Sequence, residues 1–176
     1  GDHATLAPRF ADVPCTPLPG RILAPGFVDM HIHYPQVDVI GSPADGLLPW
    51  LEHYTFPAEA RFADPAHAAE TARFFCDELL RQGVTTALTF CTSHPASVDA
   101  LMTEAQSRSL RLIAGKCLQD RHSPDGVRDE TEQSLIDTEA LIRRWHGVDR
   151  LGYAITPRFA HTSTEAQLRG AGERAA

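Results

Sequence analysis

Apolar positions along the chain switch repeatedly between a strand-like and a helix-like period. The run from Ile22 to His33 ends in Val28-Asp-Met-His-Ile-His and reads as a strand. Val84 to Phe90 is a short β-rich run without strict alternation, the pattern of a strand covered on both faces. Leu110 to Leu118 and Leu151 to Phe159 supply a third and a fourth run of that kind. Between them the period lengthens. Asp64-Pro65 offers an N-cap followed by proline at the first helical position, Ala68, Ala72, Phe75 and Leu79 then share one face, and Gly83 stands where a helix ends. Val98, Leu101, Met102 and Ala105 mark a second helix, and Glu132 to Trp145 a third through Leu135, Leu141 and Ile142. Thr162 with Glu165 is a capping box for a fourth helix running towards Ala176. Strand followed by helix, repeated, predicts an α/β protein with a parallel sheet and right-handed crossovers.

Two segments fall outside this alternation. Residues 1–20 contain Pro8, Pro14, Pro17 and Pro19 and read as a loop or edge segment. Residues 34–63 carry turn signals at Gly41-Ser-Pro43 and Asp45-Gly46, and a connection of that length is expected to be a lid or a substrate-binding loop.

Composition narrows the function classes. The chain has 176 residues, 43% of them hydrophobic and 22% charged, which suits one ordinary globular core. The net charge is −7 and no basic stripe is present, so nucleic acid is not an expected partner. No apolar run approaches the ~20 residues of a membrane span, and no basic and apolar leader opens the chain. Cys15, Cys76, Cys91 and Cys117 are far apart and form no Cys-x-x-Cys pair, which fits reduced thiols and a cytoplasmic setting. Cys91 ends a strand and reads as a small buried residue. No G-x-G-x-x-G follows any strand, which argues against a dinucleotide fold.

The chemistry gathers where apolar runs stop. His31 and His33 are two apart on a strand, so their rings point to one face and can share a metal ion, while Val28, Met30 and Ile32 face the packed side. Zinc suits paired imidazoles and hydrolytic chemistry. The segments His31–Gln36, Phe90–His94, Lys116–Asp120 and Thr156–Phe159 all place polar groups at the C-terminal ends of predicted strands, where α/β barrels carry their sites.

Pro25-Gly-Phe-Val-Asp29-Met-His31-Ile-His33 resembles the first barrel strand of the amidohydrolase superfamily. Tyr34-Pro-Gln36, the block Trp50-Leu-Glu-His-Tyr-Thr-Phe-Pro-Ala-Glu59 and Thr156-Pro-Arg-Phe159 resemble its guanine deaminase branch in order and spacing, over roughly residues 20 to 176. The resemblance implies that residues 21–176 are the first half of a TIM-like (β/α)8 barrel, with residues 1–20 a linker or the remnant of a small N-terminal β domain. It implies a zinc ion on His31 and His33, completed by two more histidines and an aspartate beyond residue 176. No catalytic residue is expected within this chain, because the proton-shuttling glutamate is also expected beyond it.

For a purine base as substrate, Gln36 offers a donor and an acceptor to the ring edge, unless it is a solvated loop residue. Arg158 can donate to a carbonyl or ring nitrogen and Phe159 can stack on the base; the alternatives are a salt-bridged arginine and a core phenylalanine. An Arg158 devoted to substrate is expected to affect turnover and leave stability unchanged. Trp50, with Tyr54 and Phe56, forms a pocket wall or staples the loop to the barrel. His94 reads as a helix-start residue. The implied activity of the intact chain is zinc-dependent hydrolytic deamination of guanine to xanthine and ammonia, a step of purine catabolism, and the 176 residues alone are expected to be inactive. The alternatives are another ring aminohydrolase, for a different purine, a pterin or a triazine, and a non-catalytic α/β segment that packs on partner chains. A homodimer stays open.

Overall fold

The structure is a computed structural model that describes residues 2–175. A single helical turn α1 (His3–Leu6), capped by the Asp2 carboxylate on the Thr5 N–H, runs into a 3-10 turn over Ala7–Phe10. Residues 3–10 are thus short helical turns where the sequence reads as loop, because Asp2 supplies the cap that a nascent turn needs, and residues 11–20 hold turns but no helix or strand. Strand β1 (Phe27–His33) follows. The long connection after it is largely helical: a 3-10 turn over Tyr34–Val39, α2 (Leu47–Trp50), one π turn over Leu51–Thr55, α3 (Phe56–Ala60) and a 3-10 turn over Arg61–Ala63. Pieces of a turn or so are too short to show an amphipathic period, so the sequence reads as loop there.

The rest alternates as expected: α4 (Pro65–Arg81), β2 (Val84–Phe90), α5 (Pro95–Ser107), β3 (Arg111–Gly115), β4 (Cys117–Leu118), α6 (Thr131–Trp145), β5 (Leu151–Tyr153), β6 (Thr156–Pro157) and α7 (Glu165–Ala175). Asp64 caps α4 through the Ala66 N–H, and Gly83 at φ +79° leaves the helix in the left-handed conformation that glycine tolerates best. The cap of α7 is Thr164, whose Oγ1 accepts from the Gln167 N–H; Thr162 is buried instead, with its hydroxyl on the Phe159 carbonyl.

Strands pair in parallel in the order β1-β2-β3-β5, and β4 and β6 pair separately beyond them. The third and fourth predicted strands are therefore each split. At the break, the Lys116 N–H donates to the Tyr153 hydroxyl and the Lys116 carbonyl accepts from the Thr156 hydroxyl, so side chains take over from the ladder.

Helices α4, α5 and α6 cover one face of this sheet. Ala72, Phe75, Cys76, Leu101, Met102 and Leu141 meet Ala87, Leu112, Ala114 and Leu151 there. Each fully buried Leu or Met side chain contributes about 1.5–3 kcal/mol. The opposite face, with Leu88, Phe90 and Ile113, is only half covered. A bulge between Asp29 and Ile32 interrupts the pairing of β1, so Ile32 packs on the helix layer while Val28 and Met30 are exposed rather than packed as the alternation predicts. Cys76, Cys91 and Cys117 are buried, and burial pushes all three thiols up, Cys76 and Cys117 to about 12. Among the described residues no helix is long and apolar enough to cross a membrane.

Candidate metal centre and purine site

The C-terminal end of β1 brings two imidazoles together. His31 Nε2 and His33 Nε2 lie 3.3 Å apart. Phe90, opposite His33 in the ladder, stacks on the His33 ring at 4.7 Å and 10° and meets the His31 ring at 5.3 Å. Asp29 Oδ1 accepts from the His31 N–H at 3.0 Å, which fixes the backbone beside the bulge. Two nitrogens on a tetrahedral zinc, each at about 2.0–2.1 Å, stand roughly 3.3–3.4 Å apart, so the spacing of this pair fits a shared ion. His33 is lowered to about 4, first by burial and then by the nearby charges of Arg158 and His31. Its ring is neutral at neutral pH, with a lone pair to give. Among the described residues no group of three or more His, Cys, Asp or Glu side chains is placed to hold a metal.

Beside the pair is a buried polar cluster. Glu59, carried by α3 and 1% exposed, takes Arg158 in a bidentate pair, Oε2 to Nη1 at 2.6 Å and Oε1 to Nη2 at 3.1 Å. Gln36 Nε2 donates to the same Oε1 at 3.1 Å. The guanidinium lies over the Phe56 ring, 5.2 Å from its centroid, and Gln119 Oε1 approaches Nη1 at 3.5 Å. Burial works against the Arg158 charge, but the Glu59 carboxylate outweighs it and holds the guanidinium above its ordinary range. Gln36 and Arg158 are thus brought together. Trp50 is half-buried against Leu51, Phe56 and Val127, the stapling arrangement. Phe159 turns to the rim, 37% exposed, its ring parallel to His161 at 5.9 Å.

Arg158 is salt-bridged, and that revises its expected indifference to stability: its loss leaves a buried carboxylate without its countercharge. Glu59 was given no role by sequence reasoning. The one available signal was an acidic side chain inside a block of aromatic and apolar residues. A second buried pair, Lys116 Nζ to Asp129 Oδ1 at 2.6 Å, sits at the break after β3, and burial raises Asp129 despite the lysine. His94 precedes α5 as expected, and its ring donates from Nε2 to the Gly126 carbonyl at 3.0 Å, away from the histidine pair.

Guanine deaminase of Escherichia coli (strain K12) is 50% identical over 149 residues, covering 85% of this chain and 34% of that protein. The solved structure of E. coli guanine deaminase superposes with a TM-score of 0.83, over 85% of this chain and 35% of its own. A crystal structure of guanine deaminase from C. acetobutylicum, with guanine bound in its active site, is 31% identical and superposes at 0.82 over 86% of this chain and 36% of its own. The chain spans about a third of the length of the relatives it matches. These likenesses agree with a parallel α/β sheet that is part of a TIM-like barrel. The family model for amidohydrolases, typically metal-dependent enzymes, matches residues 22–176, and the chain belongs to the amidohydrolase family.

Proposed function

We propose that the full-length protein of which this chain is a part hydrolyses guanine to xanthine and ammonia, with zinc held in part by His31 and His33. The observation that carries this reading is the 3.3 Å approach of the two Nε2 atoms at the C-terminal end of a parallel strand. A catalytic zinc takes roughly three protein ligands, so further donors come from outside the described residues. Zinc, when bound, supplies Lewis acidity that makes water a nucleophile at neutral pH. His33 offers its lone pair without first losing a proton, and the Phe90 ring fixes its plane. Gln36 and Arg158 bind and orient the purine, with Phe159 and Trp50 at the margin of the site. Glu59 is engaged by Arg158 and Gln36, so the proton that moves to the departing ammonia is carried by another group.

The test uses the full-length protein, purified with zinc and mixed with guanine, with base conversion followed by ultraviolet absorbance. The expected result is turnover with zinc bound, and His33→Ala is expected to lose both the metal, by elemental analysis, and about 100-fold or more in kcat/KM. Zinc retained in full by His33→Ala, or no conversion of guanine by zinc-loaded wild type, overturns the proposal.

A further inference from the structure

We infer that Glu59 is the positioning residue that fixes the hydrogen-bond polarity of this site, so that it reads a ring lactam, a carbonyl beside an N–H. The inference rests on the deaminase reading above and names the part of the base that is recognised.

An ionised carboxylate accepts hydrogen bonds and donates none. Glu59 Oε1 accepts from Gln36 Nε2 and from Arg158 Nη2, both at 3.1 Å, and Oε2 accepts from Arg158 Nη1 at 2.6 Å. A side-chain amide is otherwise free to turn over, exchanging its donor and acceptor ends. Here the reversed amide sets the Gln36 carbonyl oxygen against a carboxylate oxygen. Glu59 therefore holds Gln36 with its amide oxygen turned away from the carboxylate, beside the guanidinium that shares the same Glu59 oxygen. With its amide nitrogen engaged by Glu59, Gln36 has its oxygen left to accept from a ligand.

The same carboxylate sets the arginine. Its bidentate grip uses one N–H from each terminal nitrogen and fixes the guanidinium plane, while the Phe56 ring supports one face at 5.2 Å. The guanidinium has five N–H donors, so others are left to point elsewhere. Arg158 has no acceptor to offer in any orientation. A ring that satisfies both side chains gives an N–H to Gln36 and an oxygen to Arg158. In guanine the N1–H and the C6 carbonyl meet that demand, and they lie next to the carbon that bears the amine. Glu59 is 1% exposed, so water does not compete for the hydrogen bonds by which it orients Gln36 and Arg158.

The experiment compares guanine with 2-aminopurine, which carries the same 2-amino group but has neither the C6 carbonyl nor the N1–H. In the full-length wild type, guanine is expected to be preferred by a factor on the order of 100 or more, because an analogue without the lactam leaves buried polar groups unpaired. Glu59→Gln allows Gln36 to turn over, because the new amide can donate as well as accept. This variant is expected to lose about tenfold or more on guanine, mostly in KM, and to compress the guanine-to-2-aminopurine ratio of kcat/KM by about tenfold. That ratio does not depend on the fraction of enzyme that is folded, so partial misfolding leaves the answer intact. Glu59→Asp keeps the charge on a shorter arm and is expected to give an intermediate ratio. Equal losses on both bases in Glu59→Gln and Glu59→Asp indicate a purely structural carboxylate and overturn the inference, as does an unchanged guanine rate. A wild type that deaminates neither base refutes the deaminase reading, and this inference falls with it.

Discussion

The pair between Glu59 and Arg158 makes a stability prediction with a defined size. Glu59 is 1% and the Arg158 side chain 6% exposed, and the two touch through both carboxylate oxygens. Removing one member of a buried pair strands the other charge and costs about 3–5 kcal/mol, whereas replacing both with apolar groups of similar volume is close to neutral. Arg158→Met and Glu59→Met are therefore each expected to lose on that order. The double variant is expected to lose far less than their sum, with a coupling of about 2 kcal/mol or more. The assay is urea unfolding of the full-length protein by fluorescence, for the four members of the cycle. A surface pair serves as control. Arg81 and Glu78 lie one turn apart on α4 and are open to water, so Arg81→Ala is expected to leave the midpoint unmoved. Additive losses in the buried cycle, or an Arg158→Met variant as stable as wild type, would refute the reasoning and restore an arginine free to serve the substrate alone.

Two further predictions concern the frame of the site. Asp120 accepts from the Thr131 hydroxyl at 2.7 Å and from the Thr164 N–H and hydroxyl at 2.7 and 2.6 Å; burial tends to raise it, but these hydrogen bonds outweigh that and hold it below its usual 3.8. A carboxylate depressed on folding gives stability that is present above its unfolded value and is lost as pH falls through the folded one. Asp120→Asn is thus expected to cost about 1–2 kcal/mol at neutral pH, with the gap to wild type closing below about pH 4, and a gap constant with pH counts against the assignment. A Cβ on Gly115 meets the Ala154 carbonyl oxygen at 1.8 Å, so Gly115→Ala is expected to destabilise by about 1–3 kcal/mol or more. Gly172 in α7 has nothing within 4 Å and Gly172→Ala should stabilise slightly; equal thermal shifts of the two variants would contradict this.

What the sequence made legible is what neighbours along the chain decide. Val84–Phe90 stands as read, and Asp64-Pro65 starts its helix through a cap two residues long in its reach. His31 and His33 converge because they are two apart on one strand, even with a bulge beside them. The unread parts depend on distant partners. Thr164 replaces Thr162 as the α7 cap because Asp120, 44 residues earlier, takes hold of Thr164. The strand breaks at Lys116 and after Tyr153 follow from hydrogen bonds between those two segments. Glu59 and Arg158 are 99 residues apart, and no local pattern announces a contact of that kind.

That long-range contact bears on the histidine pair as well. The Arg158 charge reaches His33 and helps to lower its basicity, which keeps the ring neutral but also sets a cation beside the place proposed for another. An uncompensated guanidinium there would repel a divalent ion through a poorly screened interior. Glu59 removes the difficulty by binding Arg158 at two points, so Gln36, Glu59 and Arg158 carry no net charge together. Directional donors can then stand next to the proposed metal ligands without a net positive charge. The proposed recognition of the base and the proposed retention of the metal thus place the same demand on one carboxylate, and α3, a helix of five residues inside what reads as a loop, delivers it to the site.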